Sequence, residues 1–347
     1  MLFKSKTLFA LALISLLTWS SSYTATASAL SQKKSKAGKT KKKDEAKKSD
    51  DGQEAASATP RPVLWQEPTD IESRDLLYGA GGAQGAPDPN GKFTFESRSK
   101  SGTSEKIHVT DDKGRKWVVK FGAETRPETA ASRIVWAAGY HTDQDYFVKT
   151  AHIEGRGGFN VRDVRFERSD DGYKEEGLWA WAQNPFTGTR ELQGLKTLMA
   201  LINNWDLKTE NNKIVQPGKK SGASRDLRIY YVADLGGTLG STGSFFTKLP
   251  GFGNAPAGTK GDAGGYNVQP LVDGVRNGEV VFHYKGKDKK ALEGVTVANA
   301  KWMGDLLGRL SDKQLSDAFR AGGFSDSDVA TYTRAIRARI NELKNFK

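Results

Sequence analysis

The sequence predicts an α+β fold in which a small antiparallel β-rich part precedes a mainly helical part. Three segments in the first half alternate apolar with polar residues and are joined by short polar turns: 92–97, 106–110 and 115–121. Such alternation is typical of half-buried strands, and short turns favour an antiparallel arrangement. In the second half, apolar residues recur at helical spacing. The segments concerned are residues 192–202, 299–310 and 329–343.

The first 29 residues have the features of a secretory signal peptide. A basic start is followed by an apolar run over residues 7–19 and by Ala27, Ser28 and Ala29, a small-residue cleavage pattern. The alternative is a membrane anchor, but the run is shorter than the roughly 20 residues that a spanning helix needs. We therefore expect a secreted or periplasmic protein that has no transmembrane segment after cleavage.

Residues 30–60 are rich in Lys, Ser, Ala and Asp, which predicts a disordered linker. The lysines of residues 33–48 either bind an anionic surface or belong to a solvated tether. They supply much of the formal charge of +12, so the rest of the chain is less basic than the total suggests. No basic patch interleaved with aromatic residues follows, so we expect no specific nucleic-acid partner. The chain has no Cys, and its core must be held by packing alone.

Globular composition begins at Arg61, and residues 61–90 are predicted to be an extension that packs on the small β-rich part. A short helix is expected over residues 70–77. The glycine cluster at residues 79–85 resembles a phosphate loop, but no strand precedes it and two prolines follow it. A flexible connector is therefore the better interpretation.

The turn between the first two predicted strands could bind phosphate. Gly102 allows close approach of the backbone, and Ser101 and Thr103 add hydroxyl donors. An ordinary hairpin turn explains the same residues equally well. After the third strand, Pro127 begins a predicted helix over residues 127–139, with Glu128 in its first turn.

The middle of the chain alternates predicted strands and helices. Strands are expected at residues 146–149, 159–166, 177–183 and 227–233. Residues 236–265 are dominated by glycine and predict a long, partly mobile loop. Further on, Ser311 and Gln314 fit a capping box, and the arginines of the last helix, Arg334, Arg337 and Arg339, are expected to form a solvated face.

Two polar segments carry residue types that suit metal-assisted phosphoryl transfer. Asp206, Lys208 and Asn211 follow the helix at residues 192–202, and Asp234 follows the strand at residues 227–233. One acid can accept a proton from an attacking hydroxyl. An amide and a second acid offer the hard oxygen ligands that magnesium prefers.

These segments resemble motifs of the protein kinases. Residues 206–211, Asp-Leu-Lys-Thr-Glu-Asn, resemble the catalytic loop Asp-x-x-x-x-Asn, and Asp234-Leu-Gly resembles the metal motif Asp-Phe-Gly. The resemblance covers residues 91–240 in ordered motifs. It implies a two-lobed protein-kinase-like fold with an N-lobe over residues 91–188, a hinge at residues 183–188 and a C-lobe over residues 189–347.

The resemblance also implies how ATP would be held. Lys120, at the end of the third strand, would contact the α- and β-phosphates and would be oriented by Glu128, with Glu124 as the rival partner. The turn at residues 101–103 would cover the nucleotide. Asn211 and Asp234 would hold Mg²⁺ or Mn²⁺.

The same resemblance gives Asp206 and Lys208 the catalytic roles. Asp206 would orient or deprotonate the acceptor hydroxyl, and Lys208 would stabilise the transferring γ-phosphoryl group. The acceptor could be a protein, a lipid or a small molecule, because the motifs do not specify it.

Several departures indicate an atypical branch of the kinases. Asn204 and Trp205 stand where most kinases have His-Arg, and neither Gly-x-Gly-x-x-Gly nor Ala-Pro-Glu is present. The pattern is more similar to HipA-type, CotH-type, secretory-pathway or phosphatidylinositol-kinase-like enzymes. Other classes stay open: a silent pseudokinase, a surface-binding module, or a nucleotidyl (AMP) transferase on the same fold. The four histidines lack zinc-ligand spacing, which argues against a zinc enzyme.

Overall fold

The computed structural model describes residues 59–99, 104–169, 172–243 and 257–346. The predicted signal peptide, nearly all of the predicted linker, the turn residues Ser101, Gly102 and Thr103, and residues 244–256 of the glycine-rich segment lie outside this part. The described residues all belong to one compact unit, Ala56–Lys347. Sheets and helices are both present, as the α+β prediction expects.

The elements follow one another in this order. The strands are β1 (Arg61–Val63), β2 (Phe93–Ser99), β3 (Lys106–Asp111), β4 (Lys116–Lys120), β5 (Asp145–Glu154), β6 (Phe159–Arg168), β7 (Tyr173–Leu178), β8 (Asn212–Pro217), β9 (Leu227–Val232), β10 (Val272–Arg276) and β11 (Glu279–Phe282). The helices are α1 (Gly82–Gly85), α2 (Thr125–Ala137), α3 (Arg190–Leu201), α4 (Ala263–Val268), α5 (Val297–Leu307), α6 (Asp312–Ala321) and α7 (Asp326–Lys344).

Strands β2 to β6 form a closed barrel in the order β2-β3-β4-β6-β5. The pairings are antiparallel, as predicted, except that β2 and β5 pair in parallel, with Phe93 opposite Ile153. This closure was not predicted. The barrel closes near the end of β5, where Ile153 pairs with Phe159 of β6 on one side and with Phe93 of β2 on the other. The barrel interior is apolar and includes Trp117 and Phe166.

The inward-facing pattern of β6 changes phase halfway along the strand. Val161 and Val164 both lie in the barrel core, although they are three positions apart. Asp163, one of the two residues between them, has a left-handed φ of 51°. This kink lets Val164 and Phe166 face inward while Arg165 lies on the outer face that α2 covers, where it is buried at 3% exposure. The barrel thereby presents a buried cation to α2.

A second sheet has the order β1-β9-β8-β7, with β1 parallel to β9 and the other pairs antiparallel. The predicted strand at residues 177–183 is wrong, because β7 ends at Leu178. Trp179 and Trp181 are buried in the main core, and the Trp179 indole donates to the Tyr231 carbonyl. Their alternation therefore reflects anchoring of a connecting segment and not strand pairing.

The helices α2, α3, α5, α6 and α7 contribute to one large core. The capping box at the start of α6 is present, with Ser311 and Gln314 each bonding the other's backbone. One prediction for α7 is wrong: Arg339 is not solvated but 5% exposed. Its guanidinium donates to the carbonyls of Leu201, Tyr266 and Gln269, so carbonyls at the ends of α3 and α4 hold it inside the core.

The segment before β2 is more ordered than predicted. The expected helix at residues 70–77 is reduced to one 3-10 turn, Ile71–Ser73, and the glycine cluster forms another such turn and α1. Gln314 of α6 donates to the carbonyls of Ile71 and Arg74 at 2.9 and 3.0 Å. The segment is thus fastened to the helical part. No helix within residues 59–346, as far as they are described, is both long and apolar enough to cross a bilayer.

Candidate active site

Lys120 lies at the centre of a cluster of carboxylates that come from three places in the chain. Its Nζ is 2.6 Å from Glu124 Oε2, 2.9 Å from Glu128 Oε2 and 2.8 Å from Asp234 Oδ1. Lys120 is the last residue of β4, Glu128 lies in the first turn of α2, and Asp234 follows β9. The two candidate partners that the sequence offered, Glu128 and Glu124, therefore both contact the lysine.

The charges of this cluster shift one another's pKa values, and burial raises the pKa of Glu128 to about 7 against the opposing effect of Arg165 and Lys120. Burial alone would lower the pKa of Lys120, but the carboxylates of Glu128, Asp234 and Glu124 outweigh burial and raise it. Burial alone would raise the pKa of Glu124, yet Lys120 and Lys260 lower it to about 2. Lys120 is thus a fixed ammonium, and Glu124 is a fixed carboxylate that it shares with Lys260.

Close approach of the backbone brings Asp234 to the lysine. A side chain at Gly236 would place a Cβ 2.6 Å from Glu124 Cβ, so only glycine fits there. Asp234 itself has a left-handed φ of 47°. A non-glycine residue in this conformation carries backbone strain, and such strain clusters at functional sites. The Asp-Leu-Gly segment is therefore shaped to pass close beside the start of α2.

Arg165 supports the cluster from the barrel side. Its guanidinium pairs with Glu128 and Glu167, and it lies 3.5 Å from Asp145 Oδ2. Each of Lys120, Glu128 and Arg165 is at most 4% exposed at the side chain. A buried cation of this kind fixes Glu128 on the side opposite Lys120, because an unpaired buried carboxylate would be costly.

The Asp206 loop is anchored at both ends. The Trp205 amide donates to the Gly237 carbonyl at 3.0 Å, and the Asp206 amide donates to Asn204 Oδ1 at 3.1 Å. Asn211 Nδ2 donates to the Asp206 carbonyl at 2.7 Å. The Ala233 amide in turn donates to the Asn211 carbonyl at 2.8 Å, which places Asn211 beside the segment that carries Asp234.

Two lysines pair with the Asp206 carboxylate. Lys208 Nζ lies 3.0 Å from Oδ2, and Lys287 Nζ lies 3.2 Å from Oδ1. Partial burial alone would raise the pKa of Asp206, but these two ammonium groups lower it below its usual value. Asp206 also raises the pKa of Lys208. At neutral pH the loop therefore carries a carboxylate between two cations.

The residues fit a bound magnesium ion at Asp234 and Asn211. Asp234 has a side chain 46% exposed, and its carboxylate supplies oxygen ligands. Because the Asn211 amide nitrogen is used within the loop, its oxygen is the atom that could take a cation. Carboxylate oxygens of Glu124, Glu128 and Asp234 also lie within 4.8 Å of one another. The Lys120 ammonium already pairs with all three, so we interpret that triad as a lysine site and not as a metal site.

Three residues of this region were missed at the sequence level: Arg165, Lys260 and Lys287. Lys260 pairs with Glu124, and its Nζ lies 5.5 Å from the Trp205 ring centroid. The predicted nucleotide-covering residues Ser101, Gly102 and Thr103 lie outside the described residues. The adjacent Ser104 hydroxyl donates to Glu124 Oε2 at 3.2 Å, so the described end of that turn reaches the Lys120 cluster.

No known protein family and no curated protein matches the chain. Among solved structures, it is similar to the proinflammatory kinase CtkA from Helicobacter pylori, with 12% sequence identity and a TM-score of 0.39, covering 74% of this chain and 94% of that one. It is also similar to the Rio2 kinase from Chaetomium thermophilum, described as an ADP/Mg²⁺-phosphoaspartate complex, with 13% identity, a TM-score of 0.30 and 72% of each chain covered. With similarities this distant, the function has to be inferred from the geometry of the site itself.

Proposed function

We propose that this protein is an atypical kinase: an ATP- and magnesium-dependent phosphotransferase with a two-lobed kinase-like fold that acts on a hydroxyl acceptor. The observation that carries the proposal is the convergence of Glu124, Glu128 and Asp234 on the Lys120 ammonium, at 2.6 to 2.9 Å. A lysine fixed in this way beside an exposed aspartate suits the binding of a nucleotide triphosphate and its metal.

Each group then has a distinct task. Lys120, held by Glu128, which Arg165 fixes in turn, would bind phosphate oxygens of the nucleotide, and Asp234 and Asn211 would hold magnesium. When bound, magnesium neutralises the phosphate charge. Lys208 would stabilise the transferring γ-phosphoryl group. Most of the acceleration comes from positioning and from charge stabilisation.

Asp206 orients the acceptor hydroxyl. Its pKa lies below its usual value, so it is a weak base that accepts a hydrogen bond from the hydroxyl as the reaction begins. The hydroxyl oxygen forms a bond to the γ-phosphorus, and the bond from that phosphorus to the bridging oxygen breaks. ADP leaves, and the hydroxyl proton passes through Asp206 to solvent.

The proposal includes export of the protein, supported by the sequence of residues 1–29, and contact of residues 33–48 with an anionic surface, supported by their lysines. Both rest on sequence alone. A fusion of residues 1–35 to a reporter enzyme that is active only outside the cytoplasm tests the first part, and an inactive reporter would contradict it.

Two labels distinguish phosphoryl transfer from AMP transfer on the same fold. The full chain is incubated with magnesium and with ATP labelled either at the γ- or at the α-phosphorus. The proposal predicts that label from the γ-position alone reaches an acceptor hydroxyl, in the protein itself or in an added acceptor. Transfer of the α-label would instead establish a nucleotidyl transferase, and nucleotide binding without transfer of either label would establish a pseudokinase.

A further inference from the structure

Lys287 lies beside Asp206 Oδ1, the carboxylate oxygen that does not pair with Lys208. Lys208 pairs with Oδ2 at 3.0 Å, and Lys287 Nζ lies 3.2 Å from Oδ1, which is buried and accepts no hydrogen bond within the part of the chain that the structure describes. In the proposed reaction one of these oxygens must receive the acceptor hydroxyl. Because Oδ1 is buried beside the Lys287 ammonium, an acceptor hydroxyl can reach this oxygen when the Lys287 side chain moves aside.

The segment that carries Lys287 is shaped to lie against the Asp206 loop. The Lys287 amide donates to the Trp205 carbonyl at 2.8 Å, and the Tyr284 hydroxyl donates to the Lys287 carbonyl at 2.7 Å. A Cβ at Gly286 would lie 2.5 Å from the Tyr284 hydroxyl and 2.7 Å from Trp205 Cα. Only glycine permits this approach, so the position of Lys287 is a built feature of the fold and not an accident of a long side chain.

Of the two lysines, Lys287 is the one that can move. Its side chain is 46% exposed, whereas that of Lys208 is 37% exposed and belongs to the same loop as Asp206. Lys287 Nζ also lies 5.7 Å from the Trp205 ring centroid, so the aromatic face can retain the ammonium when it leaves the carboxylate. A short swing towards solvent is therefore enough to free Oδ1.

When the Lys287 ammonium moves away from Asp206, it needs another anionic partner. An ammonium that leaves a carboxylate loses its ion-pair partner, and a neutral acceptor offers it nothing equivalent. A phosphate or a carboxylate on the acceptor does. The negative charge of the acceptor would thus offset the loss of the ion pair between Lys287 and Asp206.

We propose that Lys287 recognises an anionic group on the acceptor, so that the site selects hydroxyls that lie beside a phosphate or a carboxylate. The inference rests on the proposed phosphotransferase function. The anionic group takes the Lys287 ammonium, and the hydroxyl takes the vacated Asp206 Oδ1. The bond changes at the γ-phosphorus are those given above, and no further reactant is needed.

A labelling experiment tests the recognition step without any nucleotide. The full chain is treated briefly with acetic anhydride, and acetylation of Lys287 is measured by peptide mass spectrometry relative to Lys285, an exposed lysine two positions away. The probes are glycerol 3-phosphate and O-phosphoserine, with glycerol as the neutral control. We expect saturating anionic probes to slow labelling of Lys287 about threefold or more relative to Lys285, and glycerol to have no effect. An unchanged ratio with both anionic probes overturns the proposal.

A transfer assay tests whether the site selects anionic acceptors and which kind of anionic acceptor it prefers. Acceptors are compared in matched pairs: serine peptides with Glu or Gln beside the serine, and glycerol 3-phosphate against glycerol. We expect kcat/KM to be roughly tenfold higher for the anionic member of at least one pair. Tenfold corresponds to about 1.4 kcal/mol, which is close to the free energy that one hydrogen bond to a charged group contributes. The preferred pair shows whether a peptide carboxylate or a small-molecule phosphate is the partner.

Variants assign the preference to Lys287. The preference should disappear in Lys287→Met, persist in Lys287→Arg and persist in the matched control Lys285→Met. Equal rates within both pairs, or a preference that survives in Lys287→Met, would overturn the proposal while leaving the phosphotransferase function intact. Absence of nucleotide binding would instead remove the proposed function, and the labelling result would still decide whether Lys287 binds anions.

Discussion

Replacing Glu124 by Gln tests the electrostatics of the Lys120 cluster most sharply. Glu124 contacts Lys120 and Lys260, which lie on opposite sides of it in sequence, and its side chain is 10% exposed. Gln keeps the shape and removes the charge. The variant leaves Lys120 with two carboxylates, Glu128 and Asp234, so the fold should survive while the contribution of this one charge is lost.

The size of that contribution follows from the pKa of Glu124, which is about 2 in the folded protein and 4.5 when unperturbed. One pKa unit corresponds to about 1.4 kcal/mol, which gives roughly 3 kcal/mol at pH 7. Because the folded pKa is the lower one, the stabilisation is complete above the unperturbed value and is lost as pH falls towards the folded value. It should shrink to about 1.5 kcal/mol near pH 3.

The assay is urea unfolding of wild type and Glu124→Gln at about pH 7 and pH 3, with Glu210→Gln as the control. Glu210 is an exposed residue of the Asp206 loop. We expect Glu124→Gln to lower the free energy of unfolding by roughly 3 kcal/mol at neutral pH and by about half of that in acid. A loss below about 1 kcal/mol at neutral pH, or an equal loss at both pH values, would show that the Glu124 charge does not stabilise the Lys120 cluster.

Two further predictions concern the buried guanidinium of Arg339 and the catalytic role proposed for Asp206. Arg339→Met removes hydrogen bonds to the carbonyls of Leu201, Tyr266 and Gln269 and to Asn203, and should cost roughly 3–5 kcal/mol in urea unfolding. Arg339→Lys should cost less, and a loss below about 1 kcal/mol in Arg339→Met would contradict the buried role. Asp206→Asn should keep its affinity for ATP and magnesium within about threefold in calorimetry and lower phosphoryl transfer at least about 100-fold. A parallel loss of both properties would contradict the division of roles.

The elements with a clear apolar period were predictable because local pattern and burial agree there. Strands β2, β3 and β4 and helices α2, α3 and α7 fall close to their predicted positions. In each, the pattern that the chain shows locally is the pattern that the barrel or the helical core buries. The observed boundaries of these elements differ from the predicted ones by a few residues, because capping residues and not the apolar pattern decide where an element ends.

The features that were predicted wrongly depend on contacts with residues that are distant in sequence. The segment at residues 177–183 has the alternation of a strand, but Trp179 and Trp181 are held by the core and by the carbonyl of Tyr231. Arg339 lies in a helix with other arginines, and only the arrangement of α3 and α4 supplies the carbonyls that bury it. No local rule specifies such partners.

The candidate site shows the same division. Lys120, Glu128, Asp206, Asn211 and Asp234 stand in short segments with a motif order, so their proximity could be expected. Lys260 and Lys287 lie in a region rich in glycine and lysine, where glycines such as Gly258 and Gly286 indicate a close backbone approach but not which lysine it positions. The signal for Arg165 is a charged residue between Val164 and Phe166, which becomes interpretable once the kink at Asp163 is known.

Thermal unfolding tests whether Asp234 belongs to a magnesium-dependent nucleotide site. The melting temperature is measured with ATP alone and with ATP plus magnesium, for wild type, Asp234→Asn and the control Asp305→Asn, which changes an exposed residue of α5. At about 100 times the dissociation constant, binding stabilises by about 2.7 kcal/mol, or roughly 5 °C for a protein of this size. We expect a rise that requires magnesium in wild type and the control and is absent in Asp234→Asn. No rise in wild type, or an equal magnesium-dependent rise in Asp234→Asn, would contradict it.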